Sequence, residues 1–362
     1  MRHSNGRIIA ACLLSLPILL SSSKVQAIVL EVASNGSDSV SCGSKEVPCR
    51  SISQAIANAT DRDRIVVGPG LYGDLNNDGD FTDPGEEAAE PGPGCTCMIK
   101  VDKSVQIESS DGAMVTVIDV NRTNLGGSSL AAVLIQADGV TFGKKQHGFT
   151  VTNSRSFGLI LGGSTTNVTV AGNLATRNGS NGNHAFIIQG TGHTVTGNVA
   201  TGNDHIGFGI LGTNFTVTDN VSSANLQGFT LGFTGKFSRN VASGNRFNGI
   251  DGGSNVPRLE MTRNTISANR QIGFKGGGTE DNFTFTENNI YGNGTLGGAG
   301  NCGVQNDLAP VVPLVIPRNF WGDASGPGPD PADTVCESNT GSVTVVEPIA
   351  TKPFNIDAKT GL

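Results

Sequence analysis

The sequence is poor in charged and aromatic residues, and what charge it has is mostly negative. Charged residues make up 15% and aromatic residues 5% of the 362 residues, whereas globular proteins carry about 25% charged residues. Lys and Arg number 24 against 31 Asp and Glu, so the formal net charge is −7. A nucleic-acid-binding protein normally shows the opposite balance. The composition therefore disfavours a helical bundle, and it predicts that nucleic acid is not a partner.

Glycine is abundant instead. The chain has 51 glycines, roughly twice the usual share, but they do not follow the Gly-X-Y repeat of collagen. Val, Ile and Phe are spread too regularly for a disordered chain. These features predict an all-β protein with a turn every few residues.

Residues 1–27 have the layout of a secretory signal peptide. Arg2 and Arg7 precede an apolar run over residues 8–20, and Val25-Gln26-Ala27 offers small residues at a cleavage point. The run is too short for a comfortable membrane span, and no second long apolar stretch follows. We therefore expect a secreted or periplasmic protein that is monomeric and has no membrane span.

Six of the seven cysteines follow this segment, and an even number in an exported chain predicts three disulfides. Sequence proximity favours the pairs Cys42–Cys49, Cys95–Cys97 and Cys302–Cys336, while other pairings stay open. Zinc binding is the weaker alternative because the spacing is poor and no histidine lies near.

From about residue 145 to 300 the sequence repeats a pattern of two asparagines that are five residues apart. The first asparagine recurs every 20–25 residues, at Asn173, Asn198, Asn220, Asn240, Asn264 and Asn288. A period of this length built from short β runs is typical of a solenoid. Leucine-rich repeats would need a dense leucine pattern, and a propeller would need longer blades with antiparallel hairpins.

A right-handed parallel β-helix explains each column of the repeat. Equivalent strands of successive coils lie about 4.8 Å apart, so apolar positions such as Val195 and Val217, or Phe208 and Phe229, stack inside as ladders. Asparagines at tight corners bond the backbone and their equivalents in adjacent coils. We therefore predict an all-β fold, a single right-handed parallel β-helix with a short N-terminal capping helix.

Both ends of a solenoid need covers. Ser51 and Gln54 form a capping-box pattern ahead of a helical face of Ile52, Ala55 and Ile56. We predict a signal peptide over residues 1–27, an N-terminal cap over 28–98, the β-helix over 99–318, and a C-terminal cap and tail over 319–362.

Segments at both ends resemble those of a known superfamily. Cys42-Gly43, Ser51-Ile52 and Val67-Gly68-Pro69-Gly70-Leu71-Tyr72 resemble the opening of secreted β-helix proteins of the pectin-lyase-like superfamily, and Asn319-Phe320-Trp321-Gly322 resembles their closing segment. The resemblance covers nearly the whole mature chain and implies the fold. It implies less about activity, because the superfamily includes polysaccharide lyases, glycoside hydrolases, epimerases and members without known activity.

An acidic loop near the N-terminus has the pattern of a calcium site. Oxygen-bearing side chains occupy alternate loop positions with Gly79 at position six, as in the first half of an EF-hand loop. Position twelve is Gly85 rather than Glu, and Glu86 comes one residue late. The pattern predicts a structural Ca²⁺ ion, and the alternative is a solvated acidic turn. The predicted ligands are Asp74, Asn76, Asp78, Asp80, Thr82 and Asp83.

Charged residues of the outward columns form a candidate catalytic groove. Asp251 and Lys275 should be neighbours on successive coils, while Arg246 and Arg270 share the column of Asp204, next to His205. Such a groove would suit an acidic sugar chain, whereas cross-coil ion pairs are the alternative. The predicted site residues are Asp204, His205, Arg246, Asp251, Arg270 and Lys275.

Motifs of the known activities of the superfamily are missing. The paired aspartates and Gly-His-Gly run of polygalacturonases, the Asp-Pro-His-Asp motif of alginate epimerases and the aspartate trio of pectate lyases do not occur in the repeats. We therefore expect a protein that contacts polysaccharide or another extended extracellular polymer without turnover. The alternative is a polysaccharide lyase or glycoside hydrolase acting on an acidic polysaccharide.

Overall fold

The structure is a computed structural model. It describes residues 27–362 apart from residues 79, 88–89, 93–94, 123–129, 181, 253–258, 277–282, 296–299, 308–312 and 338–342. The predicted signal peptide, except for its last residue, lies outside the described residues.

One short helix and many short strands make up the described chain. In chain order the elements are β1 (Val29–Val32), α1 (Ile52–Asn58), β2 (Arg64–Val67), β3 (Gly70–Gly73), β4 (Glu90–Gly92), β5 (Cys95–Val101), β6 (Gln106–Ser109), β7 (Thr116–Asp119), β8 (Leu130–Ile135), β9 (Thr141–Phe142), β10 (Thr150–Thr152), β11 (Phe157–Leu161), β12 (Thr169–Ala171), β13 (Leu174–Thr176), β14 (His184–Thr191), β15 (Thr194–Thr196), β16 (Val199–Thr201), β17 (Ile206–Thr218), β18 (Val221–Ser223), β19 (Gln227–Ser238), β20 (Val241–Ser243), β21 (Ile250–Asp251), β22 (Leu259–Thr262), β23 (Thr265–Ser267), β24 (Phe274–Gly276), β25 (Thr284–Thr286), β26 (Asn289–Tyr291), β27 (Cys302–Asn306), β28 (Leu314–Val315), β29 (Thr334–Glu337) and β30 (Thr344–Val345).

The strands stack in parallel from coil to coil, which confirms the predicted parallel β-helix. Within the described residues, nineteen strands form a long first sheet. The second sheet has nine strands, from β3 and β7 through β10, β13, β16, β18, β20 and β23 to β26. The pairing of β4 with β5 is antiparallel, and β28 and β30 form a separate pair.

The predicted interior ladders are confirmed by the register. Phe186, Phe208 and Phe229 are direct partners on β14, β17 and β19. Their rings are stacked with centroids 4.8 and 4.9 Å apart, which matches the spacing of adjacent strands. Val195 and Val217 are partners in the second ladder. The core therefore runs along the axis as columns of like residues.

Buried asparagines join the coils at the corners. The side-chain oxygen of Asn220 accepts hydrogen bonds of 3.0 Å from both the backbone N–H and the side-chain amide of Asn198, while its own amide donates to the carbonyl oxygens of Val195 and Thr218. The same contacts recur along both asparagine columns. The first column continues to Asn319, and the second continues to a carboxylate, Asp333.

The N-terminal cap contains the predicted helix. Ser51 caps α1 by accepting the N–H of Gln54 at 3.1 Å, whereas the Gln54 side chain bonds Asn58 instead of reaching back. The buried carboxylate of Glu87 accepts the N–H groups of Ile52 and Ser53, both at 2.8 Å. Burial raises the pKa of Glu87 to about 7.

Stacked strands begin within the predicted cap. β1 pairs with β2, and β2 pairs with β6, all in parallel register. The coil register therefore starts at Val29, ahead of the boundary predicted at residue 99. α1 packs on β1, β2 and β5.

Two of the predicted disulfides are present, Cys42–Cys49 and Cys302–Cys336. Cys97 is disulfide-bonded as well, but the side chain of Cys95 lies outside the described part. No helix in the described part of the chain has the length and hydropathy of a membrane span.

The C-terminal segment, residues 350–362, runs back along the solenoid. Ala350 donates its N–H to Asn319, and the backbone of Phe354 bonds both side-chain ends of Asn289 at 2.9 Å. Further along, Gly361 donates its N–H to the carbonyl oxygen of Gly197 at 2.8 Å. The segment thus crosses several coils in the direction opposite to their order.

Replacing a ladder asparagine should destabilise the whole solenoid. Asn220→Ala leaves the buried N–H and amide of Asn198 without their acceptor, so we expect the free energy of unfolding to fall by about 3 kcal/mol. Chemical denaturation followed by circular dichroism measures the loss. Asn35, an exposed asparagine, serves as the control, and Asn35→Ala should cost less than about 0.5 kcal/mol. Equal losses for the two variants would contradict a stabilising ladder.

Candidate functional site

Three of the predicted site residues share one column at the corner that follows the second asparagine ladder. The backbone N–H groups of Asp204, Arg246 and Arg270 donate to the carbonyl oxygens of the ladder asparagines one coil earlier, each at 2.9 Å. In these three coils the residue after the second ladder asparagine therefore faces solvent at the same edge. The three side chains are exposed.

Two arginines that the sequence reading missed join this corner. Ser154 takes the place of a ladder asparagine, with its N–H donating to the side-chain oxygen of Asn178, so Arg155 lies in the same column. Arg122 places its guanidinium 3.4 Å from the Asp204 carboxylate. We call the set Arg122, Arg155, Arg246 and Arg270, all exposed, the arginine corner.

Asp204 is the acidic centre of the arginine corner. Its carboxylate contacts Arg122, while the Arg246 guanidinium donates to its backbone carbonyl oxygen at 3.1 Å. The Arg122 and Asp204 side chains are each half exposed, and ion pairs of this kind contribute only about 0–1 kcal/mol. The corner therefore keeps a local excess of positive charge.

Two histidines lie beside the corner. His205 follows Asp204 in the chain, and His184 is the register partner of Ile206 on the next coil. The Nδ1 atoms of both imidazoles are buried without a hydrogen-bond partner. A Cβ atom at Gly209 would come within 2.4 Å of the His184 ring, so the glycine makes room for this imidazole.

Burial disfavours the charged form of both imidazoles. It lowers the pKa of His184 to about 4, with a smaller contribution from His205. Burial also lowers the pKa of His205, and the Arg246 charge adds to this effect. The ring of Phe157 stacks on His184 with centroids 6.3 Å apart and shields it from water.

The remaining predicted residues form a separate group. Asp251 and Lys275 are direct partners on β21 and β24, as the repeat predicted. The Lys275 ammonium group lies 3.7 Å from the carboxylate of Asp307, and the Gln305 amide donates to the same carboxylate. The structure therefore places Asp204, Arg246 and Arg270 at the corner with His205 beside Asp204. It places Asp251 and Lys275 on the strands that follow this corner.

The acidic loop at residues 74–83 is folded mainly by its own hydrogen bonds. Asp74 accepts the N–H of Asn77 at 2.6 Å, and Asp78 accepts the N–H of Asp80 at 3.1 Å. The hydroxyl and N–H of Thr82 both donate to Asp80, which lowers the pKa of Asp80. The amide of Asn76 donates to Asp78 and Asp83.

Glu86 closes this loop and was not among the predicted ligands. Its two carboxylate oxygens accept the N–H groups of Leu75 and Asp83, and the side chain is buried, as is that of Asp74. The loop thus holds two buried carboxylates beside three exposed ones. Within the described residues the loop carboxylates do not converge as a group of three on one point.

A single cluster of three potential metal ligands occurs among the described His, Cys, Asp and Glu side chains. It consists of Asp38, Cys42 and Cys49. The two cysteines are joined in a disulfide, whereas metal binding needs thiolates. This cluster therefore does not offer the donor set of a copper or zinc site.

The coils and their ladders define a right-handed parallel β-helix. The chain is similar in structure to a rhamnogalacturonan lyase, with a TM-score of 0.54 and 12% identity over 91% of this chain and 89% of that one. It is also similar to the mannuronan C-5 epimerase AlgE6 A-module of Azotobacter vinelandii, with a TM-score of 0.50 and 16% identity over 81% and 92% of the two chains. At such identities the likeness shows the fold alone.

Sequence comparison adds one family. A family model described as periplasmic copper-binding protein (NosD) matches residues 92–253, which is less than half of the chain. A comparison with curated proteins gave no match.

The His184 imidazole should resist protonation in acid. Its ring resonances, followed by NMR during an acid titration, should move with a midpoint near pH 4. Because the unfolded chain binds this proton near pH 6.5, the contribution of neutral His184 to stability should be lost as the pH falls from about 6.5 to 4. Phe157→Ala uncovers the ring and should move the midpoint upward. A wild-type midpoint near 6.5 would show that the ring is not buried.

Proposed function

We propose that this β-helix binds an acidic polysaccharide outside the cytoplasm through the arginine corner, without turnover. The observation that carries the proposal is a corner with four exposed arginines, three in the column of Asp204 and a fourth, Arg122, in contact with its carboxylate, on a chain whose formal net charge is −7. A positive strip on an acidic protein attracts polyanions to one place on its surface.

The geometry of the corner suits an extended chain. Column positions on successive coils lie about 4.8 Å apart. A polymer lying along the solenoid axis would meet Arg246 and Arg270 on successive coils, and Arg155 four coils before Arg246, with Asp204 between them. Guanidinium groups bind carboxylates and sulfates through two parallel hydrogen bonds. Phe247, which is 42% exposed and adjacent to Arg246, offers an apolar surface beside these charges.

Asp204 does not prevent this binding. Its carboxylate contacts Arg122 only in an exposed ion pair, which a polyanion carrying many charges can replace at little cost. Its backbone carbonyl oxygen orients Arg246, so the second contact survives when the carboxylate is displaced.

Location outside the cytoplasm is supported by three observations. The disulfides Cys42–Cys49 and Cys302–Cys336 are of a kind that persists in oxidising compartments. Residues 1–27 have the layout of a signal peptide, and residues 92–253 match a family described as periplasmic. We propose that the protein is either secreted or periplasmic.

Turnover of the same polymer is the second candidate function, and the position of His205 at the corner is the observation that raises it. A neutral imidazole can accept a proton, and this one lies beside Asp204 and within the influence of Arg246. Glycoside hydrolysis needs two carboxylates flanking the bond, whereas Asp204 is the one carboxylate described at the corner. The reaction would therefore be elimination by a lyase.

Removing two corner arginines should weaken binding of polygalacturonate and alginate. For Arg246→Gln/Arg270→Gln we expect the dissociation constant at low salt to rise about tenfold, because two charge contacts are lost. Binding should also become less sensitive to salt. Isothermal titration calorimetry at two salt concentrations measures both effects. Lys45→Gln/Lys145→Gln, which removes two exposed cations elsewhere, should bind like the wild type.

The same mixtures separate binding from turnover. Wild-type protein should release neither unsaturated nor new reducing ends from the bound polymers during long incubation. Release that His205→Ala abolishes would replace the binding proposal with the lyase. If Arg246→Gln/Arg270→Gln binds these polymers as tightly as the wild type, the polymer binds at a site other than the arginine corner.

We further propose that the acidic loop binds a structural Ca²⁺ ion. Alternating oxygen donors from Asp74 to Thr82 suit this hard cation, and bound calcium would offset the repulsion between the buried carboxylates of Asp74 and Glu86. The ion would brace the cap beside Cys97.

Calorimetry tests the calcium loop. Wild-type protein should bind one Ca²⁺ with a dissociation constant of about 10⁻⁴–10⁻³ M, the range of extracellular modules, and Asp78→Asn should weaken this at least about tenfold because one charged ligand is lost. Asp323→Asn, in an exposed turn of similar hydrogen bonding, is the matched control. An absence of heat with millimolar Ca²⁺ would leave the loop as a solvated acidic turn.

A further inference from the structure

A second concave surface lies on another side of the solenoid. It is a cleft of about 610 Å³ between residues 353–356 of the C-terminal segment and the outer face of the second sheet near its C-terminal end. Ligand pockets in proteins usually measure about 300–1,000 Å³, so the cleft has room for a small ligand. It is separate from the arginine corner, whose residues do not line it.

One wall of the cleft is held firmly in place. The Asn289 side chain accepts the N–H of Phe354 and donates to its carbonyl oxygen, both at 2.9 Å. These two bonds fix the C-terminal segment to β26, where the ring of Phe354 is half-buried. The opposite wall is part of the stacked coils, since Phe320 pairs with Asn289 as the next position of the same outward column. The cleft is therefore preformed.

The lining combines aromatic rings with free polar groups. Tyr291, Phe320 and Phe354 contribute rings, while Thr265 and Asn355 contribute a hydroxyl and an amide. Among the described residues, the hydroxyl groups of Thr265 and Tyr291 and the amide of Asn355 make no hydrogen bond to protein. These groups can both donate and accept.

The lining carries no charged side chain. A carboxylate or phosphate ligand would find no cation there, and a purely apolar ligand would leave the hydroxyl and amide groups unsatisfied. A sugar ring offers apolar C–H faces that pack on aromatic rings, together with hydroxyl groups around its edge. This combination matches the free groups of the cleft.

We infer that the cleft binds a neutral oligosaccharide, with a sugar ring packed among Tyr291, Phe320 and Phe354. The hydroxyl groups of that sugar bond Thr265, Tyr291 and Asn355. This site does not depend on the arginine corner, and it would persist if the acidic-polymer proposal failed.

Calorimetric titration with cellohexaose, xylohexaose and mannohexaose tests the cleft. At least one of the three should bind the full-length mature protein, and Tyr291→Ala should raise the dissociation constant about tenfold because a stacking ring is lost. Leu211→Ala is the matched control, because Leu211 is 37% exposed, Tyr291 is 41% exposed, and Leu211 does not line the cleft. The control should leave neutral-sugar binding unchanged.

Asn355→Ala adds a variant that does not disturb folding, because its side chain is exposed on the C-terminal segment. Asn355→Ala should raise the dissociation constant of the same oligosaccharide several-fold. Tyr291→Ala should bind hexagalacturonate as tightly as the wild type does. The inference is overturned if none of the three neutral sugars binds at millimolar concentration. It is also overturned if Tyr291→Ala and Asn355→Ala both bind like the wild type, or if Arg246→Gln/Arg270→Gln weakens neutral binding as much as Tyr291→Ala does.

Discussion

The buried amides of the corner asparagines are the interaction on which this molecule depends. Where the chain turns between strands, backbone groups lose their partners in the sheets, and a buried backbone group without a partner is costly. The ladder asparagines supply such partners to the neighbouring coil, as Asn220 does with Asn198 and Val195. Asn220 also bonds Thr218 in its own coil. Each amide can bond its equivalent in the adjacent coil only when the two coils are aligned in one register. The ladder therefore also fixes how the coils stack.

This constraint extends to the surface. Once a ladder position is fixed, the residue that follows it has a fixed place at the corner, which is why Asp204, Arg246 and Arg270 line up at one edge. A change at such a position alters the surface without disturbing the core, because its side chain takes no part in the ladder. The charges in this column can therefore change by substitution without a large change in the stability of the fold.

The same regularity explains what the sequence predicted and what it did not. A local capping pattern predicted the helix that Ser51 caps, and repeated spacing was enough to predict the ladders and the pairing of Asp251 with Lys275. It failed where the spacing breaks. Ser154 stands in for an asparagine and so concealed Arg155, and Asp333 ends its ladder 40 residues after Asn293.

Contacts formed by irregular segments were also out of reach of the sequence. The approach of Arg122 to Asp204 spans 82 residues, and the C-terminal segment meets Asn289 across 65. Contacts of this kind cannot be predicted from a periodic sequence pattern, because the irregular segments that form them lie outside the repeat. The burial of His184 likewise depends on two unrelated features, the stacked ring of Phe157 and the space left by Gly209.

The electrostatics of the corner favour binding over turnover. A general base works best when its pKa lies near the working pH, and enzymes reach that value by placing a histidine beside a carboxylate that stabilises its charged form. Here burial and the Arg246 charge act in the opposite direction on His205, so this imidazole is a weakened base. The guanidinium groups around it stay exposed and therefore keep the solvation that a reaction centre usually excludes. An exposed positive strip beside weakened bases is suited to holding a polyanion in place, and it supplies little of what proton abstraction requires.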